Sequence, residues 1–131
     1  MKKVTLATVA TSLFLAIAIP TFAADIDTPD PNAQTAAFIG SSQYYANTVR
    51  GKSYALTSNT KMTSLNVQGT FYQSGSQKET GTGTTSSRNT EASWYTKDGV
   101  YSNKGSYTLN TASRTYFSGG KYAQNYASDS W

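Results

Sequence analysis

This sequence predicts a small all-β domain, an antiparallel β-sandwich or barrel of about seven or eight short strands. Three observations carry that prediction. From about Gln43 onward the composition is Thr, Ser, Tyr, Gly and Asn, with no Leu- or Ala-rich run at helical spacing. Apolar residues in this region alternate with polar ones, as on a strand with one buried face. Turn-forming pairs built on Gly, Asp and Asn separate these runs at short intervals.

The chain opens with a different composition. Lys2 and Lys3 precede an apolar stretch from Leu6 to Ile19, and Thr21-Phe22-Ala23 follows as a small-x-small cleavage site. That is the layout of a secretory signal peptide over 1–23, so the mature protein is expected to start after about Ala23 and to be extracellular. The apolar stretch stops at Pro20, short of what a hydrocarbon core of about 30 Å demands, and no second such run follows. No transmembrane segment is therefore expected in the mature chain. Residues 24–40 form a lead with Asp25, Asp27, Pro29, Asp30 and Pro31, expected to be mostly disordered. Within it, Ala36, Ala37, Phe38 and Ile39 read equally as one helical turn or as a docking strand. The single sandwich domain is assigned to 41–131.

Strands follow from period two. Leu65, Val67 and Phe71 lie on one face, with Asn66, Gln68 and Thr70 on the other. Ala92 and Trp94 share a face of 90–96, as do Tyr107 and Leu109 in 106–110. Asp98-Gly99 predicts a hairpin between 94–96 and 100–101, and Gly119-Gly120 a second between 115–117 and 122–123, because these pairs tolerate positive φ. Ser74-Gly75 and Ser58-Asn59 mark two further connections, and Gly51 reads as a bulge or tight bend. The segment 77–87 sets Gly81 and Gly83 among Thr80, Thr82, Thr84 and Thr85 with no apolar residue, and reads either as a long exposed hairpin or as a flexible loop.

Absences exclude whole classes of chemistry. The sequence contains neither cysteine nor histidine. A disulfide scaffold, a Ser-His-Asp or Cys-His nucleophile system, and thiolate or imidazole zinc sites are thereby ruled out. No cofactor is expected, and the pattern suits a bacterial export, Gram-positive in particular. Eleven basic against seven acidic residues give a formal charge of +4, which falls to about +2 once Lys2 and Lys3 leave with the signal. So modest a balance attracts anionic polymers weakly and is no nucleic-acid footprint. The body carboxylates Glu79, Glu91, Asp98 and Asp129 are all read as solvated. A hydrolase built on Glu79 and Glu91 is the weakest functional reading.

The sharpest functional signal is aromatic, since all ten Tyr follow the signal segment. If Phe71 points inward, Tyr72 points outward; if Trp94 is inward, Tyr95 is outward; if Phe117 is inward, Tyr116 is outward beside Arg114. Alternation alone thus predicts an outward row of Tyr72, Tyr95 and Tyr116 with Arg114. Such rings suit sugar faces, a membrane interface or a protein partner, although Tyr also occupies exposed sheet faces with no ligand at all. The expected function is a secreted, non-enzymatic β-domain that binds cell-envelope polymer or a protein partner through this row. Edges rich in Thr and Tyr, with no Pro beyond Pro31, leave dimer or fibre formation open.

Tyr44-Tyr45, Tyr122, Tyr126 and Trp131, with the absence of cysteine, make the chain resemble the lactococcin-like, cysteine-free bacteriocins of Gram-positive bacteria. Those are small exports with a cleaved signal, a Gly/Ser/Thr/Tyr-rich β-sandwich and an aromatic C-terminal end. This chain differs in being longer, in its acidic lead and in lacking histidine and an early Trp. The resemblance implies an antagonistic protein that binds a cell-wall precursor and inhibits septum formation, the alternative to the binding module.

Overall fold

The computed structural model describes residues 28–131. The expected signal peptide and 24–27 of the lead lie outside the described residues. Eight strands follow in order: β1 Ala33–Ser41, β2 Thr48–Thr57, β3 Ser64–Gln73, β4 Ser76–Thr85, β5 Ala92–Tyr95, β6 Tyr101–Ser102, β7 Tyr107–Tyr116 and β8 Tyr122–Ser130. They make two antiparallel four-stranded sheets. Sheet A has the order β1-β2-β5, with β6 also paired to β2, and sheet B the order β4-β3-β7-β8. The all-β sandwich expected from the sequence is the fold.

Alternation sets the core. Strand β2 turns Val49, Gly51, Ser53, Ala55 and Thr57 inward and Arg50, Lys52 and Tyr54 outward. Leu65, Val67, Phe71, Tyr107 and Leu109 of sheet B meet the inward set and are fully buried. One end of the core is aromatic: Phe71 stacks on Tyr107 with ring centroids 5.3 Å apart and lies 4.8 Å from Tyr101. Trp131 packs against this cluster and donates its Nε1–H to the Asn103 carbonyl at 2.8 Å. The other end is built from smaller side chains, with Ala55, Leu65, Val67 and Ala92 closed by Met62. Buried hydroxyl pairs join the layers, Ser53 with Thr111 at 2.7 Å and Thr35 with Ser113 at 2.7 Å.

Both sides of the sandwich are closed by edge strands that face one another. A Cβ at Gly81 would collide with the Trp94 indole, and one at Gly83 with the Ser93 backbone. Two successive inward positions of β4, Gly81 and Gly83, thus carry no side chain, so that β5 can approach. Segment 77–87 accordingly forms most of the second arm of an exposed hairpin with β3, turning at Ser74 (φ 48°) and Gly75 (φ 82°). On the opposite side β1 lies against β8, where Asp129 accepts the Ile39 backbone N–H at 2.8 Å.

Several expectations are corrected. The lead was expected to be mostly disordered to residue 40, yet β1 begins at Ala33 and Asp30 is 2 % exposed. The folded domain therefore starts before residue 41. The inward residues of β1 are Ala33, Thr35, Ala37 and Ile39, of which only Ile39 is large and apolar, too little to register as an apolar strip. Asp129, expected in solvent, is buried because it satisfies a backbone donor of the neighbouring edge. Gly51 is neither bulge nor bend: it pairs regularly with Ile39 and faces Phe71 and Leu109.

The turn pairs divide. Gly119-Gly120 (φ 83° and 77°) makes the expected β7–β8 hairpin. Asp98-Gly99 makes none, because β5 and β6 both pair with β2, over Lys52–Ala55 and Thr48–Val49, and run in the same direction. The pair instead sits in a short excursion, 96–100, between two halves of one strand position.

Candidate functional site

The outward residues of sheet A converge on one spot. Lys52 of β2 stands between Phe38 of β1 and Tyr95 of β5 in the pairing register, and Arg50 stands opposite Gly40. The Arg50 guanidinium lies 4.5 Å from the Tyr95 ring centroid, and the Lys52 ammonium 4.6 Å from that of Tyr54 and 5.4 Å from that of Tyr95. Both cations also have carboxylate partners: Lys52 meets Glu91 at 2.7 Å and Arg50 meets Asp98 at 3.8 Å. Arg50 further donates its Nε–H to the Thr96 carbonyl at 3.1 Å. Burial pulls the Lys52 ammonium pKa down, but hydrogen bonds to Glu91 and Tyr95 outweigh it and leave it raised.

A braced loop forms one wall. In the β1–β2 connection, the Ser42 hydroxyl accepts the backbone N–H groups of Tyr44 and Tyr45 at 3.1 Å each, and Thr48 donates its hydroxyl to the Tyr45 carbonyl at 2.8 Å. Asn103 donates its N–H to the Asn47 carbonyl at 2.8 Å, fastening the loop to the strand that carries Tyr101. The Tyr45 ring rests on Gly99, where a Cβ would lie 2.8 Å from it, and Tyr44 is left 79 % exposed. Between loop and sheet runs a groove of about 290 Å³ lined by Phe38, Tyr44, Arg50, Lys52, Tyr95 and Asp98 among others. Among the described residues, the exposed large hydrophobic side chains Tyr44, Tyr45, Tyr95 and Val100 all belong to this end of sheet A or to the loops beside it.

Of the binding residues expected from the sequence, Tyr72, Tyr95, Tyr116 and Arg114, only Tyr95 is here. Tyr72, Tyr116 and Arg114 occupy the outer face of sheet B, on the other side of the sandwich. Tyr72 pairs with Thr108 and Tyr116 with Ser64, at opposite ends of the β3–β7 ladder. The expected row therefore does not form, because alternation assigns a face within a strand and says nothing about which sheet the strand joins. Arg114 is buried, with its guanidinium 4.1 Å from the Tyr122 centroid and its Nε–H donated to the Gln124 side chain at 2.8 Å. Tyr116 lies against the same Tyr122 at 5.6 Å. Arg50 and Lys52 were missed, although the period-two run Arg50-x-Lys52-x-Tyr54 was legible as an outward strand face, and Tyr44 and Phe38 were noted without a place in the site.

The carboxylates weighed for hydrolysis are engaged separately. Glu79 accepts the Tyr101 hydroxyl and, at 3.1 Å and 3.2 Å, the Lys97 backbone N–H. Glu91 holds Lys52, as above. Fold and groove together define a small β-sandwich with an aromatic, charge-paired groove on one outer face. No protein-family model, curated protein or solved structure matches the chain.

Proposed function

We propose that the chain is a secreted, non-enzymatic binding module that holds a cell-envelope polymer on the outer face of sheet A. The observation that carries this reading is the pair of exposed rings, Tyr44 and Tyr95, that line one groove together with Phe38, Arg50 and Lys52. Aromatic side chains have few rotatable bonds, and a loop braced by Ser42 and Thr48 has already lost its freedom, so little entropy remains to be given up on binding. Export rests on the layout of residues 1–23.

Cosedimentation of the mature chain, 24–131, with purified cell walls tests the proposal. The wild type is expected to pellet, Tyr44→Ala and Tyr95→Ala to pellet weakly, and Tyr72→Ala on the other sheet to behave as wild type. A wild-type chain that stays in the supernatant overturns the reading. A zone of growth inhibition on sensitive lawns would move it to the antagonistic protein implied by the bacteriocin resemblance.

A further inference from the structure

We infer that the groove on sheet A takes the neutral pyranose rings of a glycan chain and not a polyanion, an inference that rests on the polymer-binding reading above. Charge decides between the two ligand classes. Arg50 is matched by Asp98 and Lys52 by Glu91, so the site has two cations and two carboxylates and no net charge of its own. Paired charges cancel within a few ångströms, and the groove therefore offers a phosphate- or carboxylate-bearing polymer little field to follow. An anion approaching Lys52 would also meet the Glu91 carboxylate already held there at 2.7 Å, and like charges repel.

The same pairs suit hydroxyl groups. A sugar hydroxyl donates one hydrogen bond and accepts others, so it needs a donor and an acceptor side by side. Arg50 and Asp98, at 3.8 Å, are too far apart for a tight bond and stand where hydroxyls could bridge them. Asp98 accepts while the guanidinium, with five N–H groups, donates. Above this polar floor stands Tyr44, whose exposed ring offers an apolar face to the C–H side of a pyranose. The groove's size, about 290 Å³, lies just below the usual range of small-ligand pockets and suits about one or two sugar rings of a chain better than a folded protein element.

The test titrates the mature chain with chitohexaose and cellohexaose, and separately with polyphosphate, at low and high sodium chloride by calorimetry. At least one neutral oligosaccharide is expected to bind with an affinity that changes by less than roughly twofold across the salt range. Tyr44→Ala and Asp98→Asn are each expected to weaken it roughly tenfold, with the melting temperature unchanged. Polyphosphate binding that fades with salt, or pelleting with walls without binding either oligosaccharide, overturns the ligand class and leaves the polymer-binding reading standing. Oligosaccharide binding that both variants retain overturns the groove as its location. A chain that binds neither oligosaccharide, nor polyphosphate, nor whole walls overturns this inference and the reading beneath it together.

Discussion

The Thr57 hydroxyl donates to the Asp30 carboxylate at 2.6 Å, and Thr115 donates to the same oxygen at 3.0 Å. Thr57 ends β2 of sheet A and Thr115 lies in β7 of sheet B, so one carboxylate oxygen bridges the two layers. Its other oxygen accepts the Asn32 backbone N–H at 2.9 Å and the Asn59 amide at 3.2 Å. The Asp30 main chain is held from β8, where Asn125 accepts its N–H at 3.1 Å and donates to its carbonyl at 3.3 Å. A carboxylate with so little exposure persists only where donors of this number replace water.

Asp30→Ala should therefore destabilise the fold by about 2–4 kcal/mol, since it leaves the Thr57 and Thr115 hydroxyls without their acceptor. Urea unfolding reads this as a lower midpoint at unchanged slope. A loss below about 1 kcal/mol would show that the bridge between the sheets is dispensable.

Gly83→Ala should cost about 2–3 kcal/mol, because the new methyl meets the Ser93 backbone, which cannot step aside. Gly81→Ala should cost less and shift the Trp94 fluorescence, since its obstacle is a side chain that can rotate. Equal stability of both variants with wild type would mean that β4 and β5 are further apart than described.

Burial raises the hydroxyl pKa of Tyr101, with the Glu79 carboxylate adding to the effect, and burial alone raises that of Tyr107. Below the ordinary tyrosine value of about 10, folded and unfolded chains are equally protonated and this stabilisation is fully present. Above it the unfolded chain loses the protons first, so stability should fall as pH rises from about 10 through the raised folded values. Circular dichroism against pH should show this loss, and Tyr101→Phe should make the alkaline decline shallower. A decline of unchanged steepness in Tyr101→Phe would place the alkaline sensitivity elsewhere.

Arg114→Ala should leave wall binding as in wild type while lowering stability by about 1–2 kcal/mol, because its guanidinium packs on Tyr122 and is buried. Weakened wall binding at wild-type stability would restore sheet B as the binding face.

Much of the fold was legible because burial on a strand repeats every second residue. Leu65, Val67 and Phe71 announced β3, Tyr107 and Leu109 announced β7, and Gly119-Gly120 announced the turn into β8. Where inward positions hold Thr, Ser, Ala or Gly, that signal fades. Strand β1 and the inward glycines of β4 were obscured for this reason. The candidate site was less legible, since Tyr95 was found from alternation while its neighbours come from other strands and from a loop.

The β class, the inward strips and most of the turns could be read from residues close together along the chain, and the exclusion of cysteine and histidine chemistry from composition alone. That Asp30 and Asp129 go inside, that Tyr95 joins Arg50, Lys52 and Tyr44, and that Tyr72 and Tyr116 face the other way emerged with the assembled sheets. Those outcomes depend on which strand lies beside which. Sheet membership is settled by long-range pairing and by donors that arrive from distant segments, and the period of a single strand carries no record of either.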